Sequence, residues 1–120
     1  MTVFFMALAG AAGAVARFVI DGVILRRRGS DFPWATLLIN ATGSLLLGVA
    51  TGLVLFHACP SELRLVVGTG FCGGYTTFST ASFEIVRLVQ RASPLRAVGY
   101  LTATVVLTVG AGAVGLVAVR

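Results

Sequence analysis

Lysine is absent from this chain, and carboxylates are scarce: Asp21, Asp31, Glu62 and Glu84 are the whole supply. There is one histidine, His57, and two cysteines, Cys59 and Cys72, stand too far apart and too isolated for a metal-binding or redox pair. A hydrolytic or redox enzyme needs a nucleophile, a base and an orienting acid brought together, and this inventory does not offer them. The cysteines read as small apolar residues instead. With 11% charged and 58% hydrophobic residues, and a mean hydropathy of +1.00, the chain has too little polar surface to coat a soluble globule.

What is present is apolar sequence in membrane-sized lengths. A crossing helix takes about 20 mostly apolar residues, and four such runs lie end to end: Val3 to Leu25, Ala35 to Ala58, Leu63 to Val89 and Leu95 to Val119. The first run lacks a basic start and a polar cleavage region, so it reads as a retained helix and not a signal peptide. Short connections separate the runs: Arg26 to Trp34, in which Pro33 and Trp34 suit an interfacial helix start, Cys59 to Glu62, with Ser61 as a cap, and Arg91 to Pro94. Residues 1–120 therefore predict one all-α, four-helix transmembrane unit with no repeat and no soluble domain.

All nine basic residues are arginines, and six of them, Arg26, Arg27, Arg28, Arg87, Arg91 and Arg96, fall around the first and third connections. Those two connections share one side of a four-helix chain, so the positive-inside rule predicts them cytoplasmic and both termini outside. Anionic headgroups account for basic residues at that depth, which argues against a nucleic-acid partner.

The third run is interrupted at its centre by Gly70-Phe71-Cys72-Gly73-Gly74-Tyr75-Thr76-Thr77-Phe78-Ser79-Thr80. Non-helical backbone at mid-membrane survives only where it is buried in protein or lines a wet cavity. The glycine pair is expected to supply unusual backbone angles there, leaving carbonyls and hydroxyls as ligands. Other polar residues fall in stripes: Thr36, Asn40 and Ser44 on the second helix, Tyr100, Thr104 and Thr108 on the fourth, and Thr76, Thr77, Ser79, Thr80 and Ser82 after the glycines. Such residues either glue helices together or line a path. Because the stripes offer amide and hydroxyl donors and almost no carboxylate, a path built from them favours an anion. Phe78 and Phe83 add ring edges, which carry positive potential. Arg17, with Asp21 four residues on, is either half of an intrahelical ion pair or a cation at the mouth of such a path.

These residues carry a resemblance. Gly73-Gly74-Tyr75-Thr76-Thr77-Phe78-Ser79-Thr80, with Gly10 to Phe18 and Thr36 to Ser44, is similar to the Fluc (CrcB) fluoride channels over essentially the whole chain. The resemblance implies a dimer of two four-helix subunits in opposite orientations in the cell membrane, with two fluoride pores along the interface. It implies a structural sodium ion (Na+) at the dimer centre, held by the carbonyls of Gly73 and Thr76. It assigns Asn40, Phe78, Ser79, Thr80, Tyr100 and Thr104 to the pore, Arg17 to the vestibule, and Glu84 to a helix-three glutamate of the family.

The match fails at one position: the family string continues Phe-Ser-Thr-Phe, and here Ala81 stands in the last place. Phe83 is no direct substitute, since two residues along a helix rotate a side chain by about 200°. In the family the two pore phenylalanines come from different subunits, so a homodimer would lack one ring in each pore. A heterodimer with an unlike subunit need not, and the lopsided arginines point the same way. The expected function is passive fluoride exit, with a poorly conducting partner subunit as the alternative. A small dual-topology multidrug exporter would want a buried carboxylate in the first helix, where only Asp21 is available.

Overall fold

The computed structural model describes residues 1–29 and 32–120. Ser30 and Asp31, in the first connection, lie outside the described residues. Every regular element described is helical. α1 runs Thr2–Arg28 and carries Arg26, Arg27 and Arg28 in its last turn, where cations complement the helix dipole. It stops at Gly29, whose φ of 76° is open to glycine and strained for other residues. α2, Trp34–Phe56, begins after Pro33. It ends two residues before the predicted Ala58, because Ala58 itself adopts a left-handed φ of 53°. That turn lets the amides of both His57 and Cys59 reach the Leu53 carbonyl.

The next predicted run is helical in pieces. A single turn, α3 (Ser61–Leu63), leads into a π-helix over Arg64–Cys72 and a second turn, α4 (Gly73–Tyr75). Ser61 is the first helical residue and makes no capping bond; the cap position belongs to Pro60. Thr76 (ψ 161°) and Thr77 (φ −147°, ψ 125°) are extended, and α5 follows over Phe78–Arg91. The expected role of the glycine pair is therefore corrected: Gly73 is helical (φ −61°), and the extended residues are the two threonines. α6, Pro94–Ala118, opens with Ser93 Oγ accepting from the Arg96 amide at 3.1 Å and Pro94 at the first helical position.

α1, α2 and α6 are each long and apolar enough to cross a membrane, and the molecule measures 47 × 27 × 22 Å, against roughly 40–45 Å for a bilayer with its headgroups. α2 and α6 pack through glycines: a Cβ at Gly48 would overlap the Gly112 carbonyl, and one at Gly115 the Leu45 carbonyl. Small residues let helix backbones meet closely where no hydrophobic driving force operates. α1 meets α4 in the same way, for a Cβ on Gly74 would run into the Gly10 carbonyl. This close approach, and not unusual torsion, is what the glycine of that string contributes. Leu37, Leu88, Ala97 and Tyr100 form the buried cluster between α2, α5 and α6. Phe32 closes it edge-on to Tyr100 at 5.6 Å, and Arg28 lies 5.7 Å over the Trp34 ring.

Candidate functional site

A groove of about 470 Å³ runs between α2, the π-helix, α5 and α6, and its lining includes Asn40, Gly73, Thr76, Phe78, Ala81 and Thr104. Asn40 is 8% exposed and clasps one peptide: its Nδ2 donates to the Thr77 carbonyl at 3.0 Å, and its Oδ1 accepts the Thr77 amide at 2.9 Å. A primary amide carries two N–H donors. One is spent on Thr77, and one remains on a side chain that borders the groove.

Thr77, not expected to be more than one polar residue of a stripe, is the hub of this region. Its amide and carbonyl are held by Asn40, and its Oγ1 accepts the Thr80 amide at 3.1 Å while donating to Thr80 Oγ1 at 3.2 Å. That amide contact is an N-cap, which starts α5 immediately after the extended pair. The sequence signal was a threonine ahead of an amphipathic run. Thr42 and Tyr75 form a second unforeseen link, with hydroxyl oxygens 2.8 Å apart, and Phe71 stacks on Tyr75 at 5.6 Å between centroids.

On α6 the three hydroxyls of the stripe differ. Thr108 Oγ1 donates to the Thr104 carbonyl at 2.6 Å, so its hydrogen is engaged within the helix. The hydroxyls of Tyr100, which is 0% exposed, and of Thr104 are buried close to each other, with that of Thr36 also near Tyr100, and neither makes a hydrogen bond of full geometry among the described residues. Tyr100 stands behind the groove wall and Thr104 on it. Phe78 projects from the start of α5 and is 87% exposed, Ser79 and Thr80 are exposed beside it, and Ala81 is buried on the groove floor. Phe83 faces another side of α5, with Val86 and Arg87.

A second cleft of about 340 Å³ holds Arg17, Asp21, Thr36, Thr77 and Thr80. Arg17 and Asp21 share this cleft without forming an ion pair; the pair formed among the described residues is Arg87 to Glu84, at 3.5 Å. Glu84 borders a third, smaller pocket with Asp21, Trp34 and Thr36. The structure thus gathers Asn40, Phe78, Thr104, Gly73 and Thr76 at one groove, with Arg17 and Thr80 in the adjoining cleft and Ser79 in neither. At the far end of the molecule His57 Nε2 contacts the Val119 carbonyl, and both cysteines are free.

Long apolar helices enclosing a groove with amide and hydroxyl groups on its wall define a multi-pass helical membrane protein with a polar seam. The chain belongs to the CrcB family: the model "CrcB-like protein, Camphor Resistance (CrcB)" matches residues 4–116. It is 50% identical over 120 residues to "Fluoride-specific ion channel FluC 1" of Leifsonia xyli, covering 97% of this chain and 85% of the relative. It is 42% identical over 116 residues to "Fluoride-specific ion channel FluC" of Nitrobacter winogradskyi, covering 96% and 92%. A relative of the same name in Methanopyrus kandleri is 42% identical over 114 residues, covering 94% and 85%.

Proposed function

We propose that this chain is a subunit of a fluoride-selective channel that lets the anion leave the cell passively. The observation that carries this reading is the groove on whose wall the Asn40 amide, with one N–H to spare, and the buried Thr104 hydroxyl both stand. A buried hydroxyl left entirely without a partner costs roughly 1–3 kcal/mol; Thr104, poorly aligned with its Tyr100 neighbour, bears part of that cost, which an acceptor passing along the groove would relieve. Fluoride holds its water tightly and must exchange it for fixed donors, yet remain loosely enough bound to move on. Phe78 offers a ring edge at the same groove, and Arg17, not paired with Asp21, suits a cation at the mouth. Hydrogen fluoride enters cells as a neutral acid and ionises inside, so a passive exit for the anion lowers the internal load.

In this reading α3, the π-helix, α4 and α5 together make the third crossing, broken at Thr76 and Thr77. The chain pairs with a second subunit of opposite orientation across the face that exposes Gly73 and Phe78. The carbonyls of Gly73 and Thr76 would hold sodium, which supplies a fixed positive charge beside the path. Their fit rests on the extended backbone at Thr76 and on donors drawn away from both carbonyls, as detailed below. Backbone carbonyl oxygens are suitable ligands for a hard cation.

Ala81 favours a second reading, in which the chain is the poorly conducting partner in a heterodimer. Its methyl leaves the groove floor without the second ring that the family pattern places there. The exporter reading loses support, since Asp21 is exposed. Fluoride efflux from liposomes containing this chain alone, compared with liposomes that also contain a homologous second subunit, tests both. Rapid efflux from the chain alone supports a complete channel, efflux only with the second subunit supports the partner reading, and none in either case rejects both.

A further inference from the structure

We propose that Asn40 and Thr77 are positioning residues which create the carbonyl pair of the cation site by drawing away its helical hydrogen-bond donors, so that the pore wall and the cation site are one coupled unit. This inference rests on the reading of Gly73 and Thr76 as sodium ligands.

In an uninterrupted α-helix each amide bonds the carbonyl four residues back. Gly73 O would then accept from the Thr77 amide, and Thr76 O from the Thr80 amide. Both donors point elsewhere here: the Thr77 amide goes to Asn40 Oδ1 at 2.9 Å, and the Thr80 amide to Thr77 Oγ1 at 3.1 Å. Asparagine and threonine side chains compete with helical bonding in this manner. Asn40 also donates to the Thr77 carbonyl at 3.0 Å, which stabilises the extended peptide from both sides. Two side chains therefore free the two carbonyls in question. Gly73 is exposed, and no atom of another element stands within 4 Å of where a Cβ would be.

Removing either competing acceptor changes the balance. Without Thr77 Oγ1 the Thr80 amide is released, and without Asn40 Oδ1 the Thr77 amide can return to Gly73 O. A carbonyl that regains its helical partner no longer needs a cation. The same Asn40 amide that holds the break belongs to a side chain lining the groove and has a second N–H to spare, so occupancy of the cation site and the placement of that donor depend on each other.

The test measures, in detergent, the thermal unfolding midpoint of the full-length chain assembled in the subunit combination that conducts, as sodium chloride replaces choline chloride at constant chloride. Wild type and Thr77→Ser, which keeps the hydroxyl, should show the same sodium-dependent rise. Thr77→Val and Asn40→Ala should need roughly tenfold more sodium for half the rise, a change equivalent to about one hydrogen bond. A wild type indifferent to sodium would reject the cation reading itself. A sodium-dependent wild type matched by Thr77→Val and Asn40→Ala would overturn the positioning role and leave the cation reading intact. Should Thr77→Val fail to fold, Asn40→Ala carries the test by the same criterion.

Discussion

Replacing Asn40 by aspartate changes one nitrogen for an oxygen and leaves the shape of the side chain intact. The acceptor that holds the Thr77 amide at 2.9 Å survives, strengthened by its charge. The donor that reaches the Thr77 carbonyl at 3.0 Å becomes a second acceptor, at a local cost of roughly 1–3 kcal/mol. The spare N–H of this groove-lining side chain is lost as well. The largest effect is on the ion: a fixed negative charge about 4 Å from fluoride, at an effective dielectric near 20, raises its energy by about 4 kcal/mol. That is on the order of a thousandfold in flux. Efflux from liposomes followed with a fluoride electrode reads this directly, in the protein combination that conducts as wild type. A correctly assembled Asn40→Asp protein whose flux stays within about threefold of wild type would refute the placement of Asn40 beside the ion path, because an electrostatic penalty of about 4 kcal/mol cannot hide in that margin.

Ala81→Phe puts a ring on the floor of the groove of about 470 Å³, next to Phe78, and should raise fluoride efflux from liposomes containing the chain alone; no rise in a folded dimer would end the reading of Ala81 as a missing aromatic edge. Ala58→Gly relieves a left-handed residue at φ 53°; relief of roughly 1–2 kcal/mol, less the added freedom of glycine in the unfolded chain, should stabilise by about 0.5–1 kcal/mol, read as a higher unfolding midpoint with unchanged efflux. Reporter fusions or cysteine accessibility should find both termini outside, since six of nine arginines flank the first and third connections. Moving Arg26, Arg27 and Arg28 to the second connection should invert the chain, and an even split of orientations in the unaltered chain would contradict the bias.

The sequence alone determined the class of this protein. Apolar runs of membrane length with few charges admit helices, because in lipid each backbone group must be satisfied within its own segment. The resemblance carried by Gly73 to Thr80 reached the family directly, and the fourth apolar run, Leu95 to Val119, lies within one residue of α6 at each end. The preference for donors over carboxylates was also legible, being a matter of inventory and not of geometry.

Tertiary structure decided which of those polar groups are available. Thr104 and Thr108 look alike in a stripe, yet Thr108 donates to the Thr104 carbonyl while the Thr104 hydroxyl lies buried against that of Tyr100 without full hydrogen-bond geometry. Arg17 and Asp21 have helical spacing for an ion pair, but they form none and stand as separate members of one cleft. The glycine pair looked like the source of the irregular backbone; Gly74 packs instead against Gly10 of α1, and Thr76 and Thr77 carry the extension. That last assignment lay beyond sequence reading for a physical reason. The hydrogen bonds that hold Thr77 extended come from Asn40, 37 residues earlier on another helix, and no local propensity reports a bond that exists only once the helices are packed.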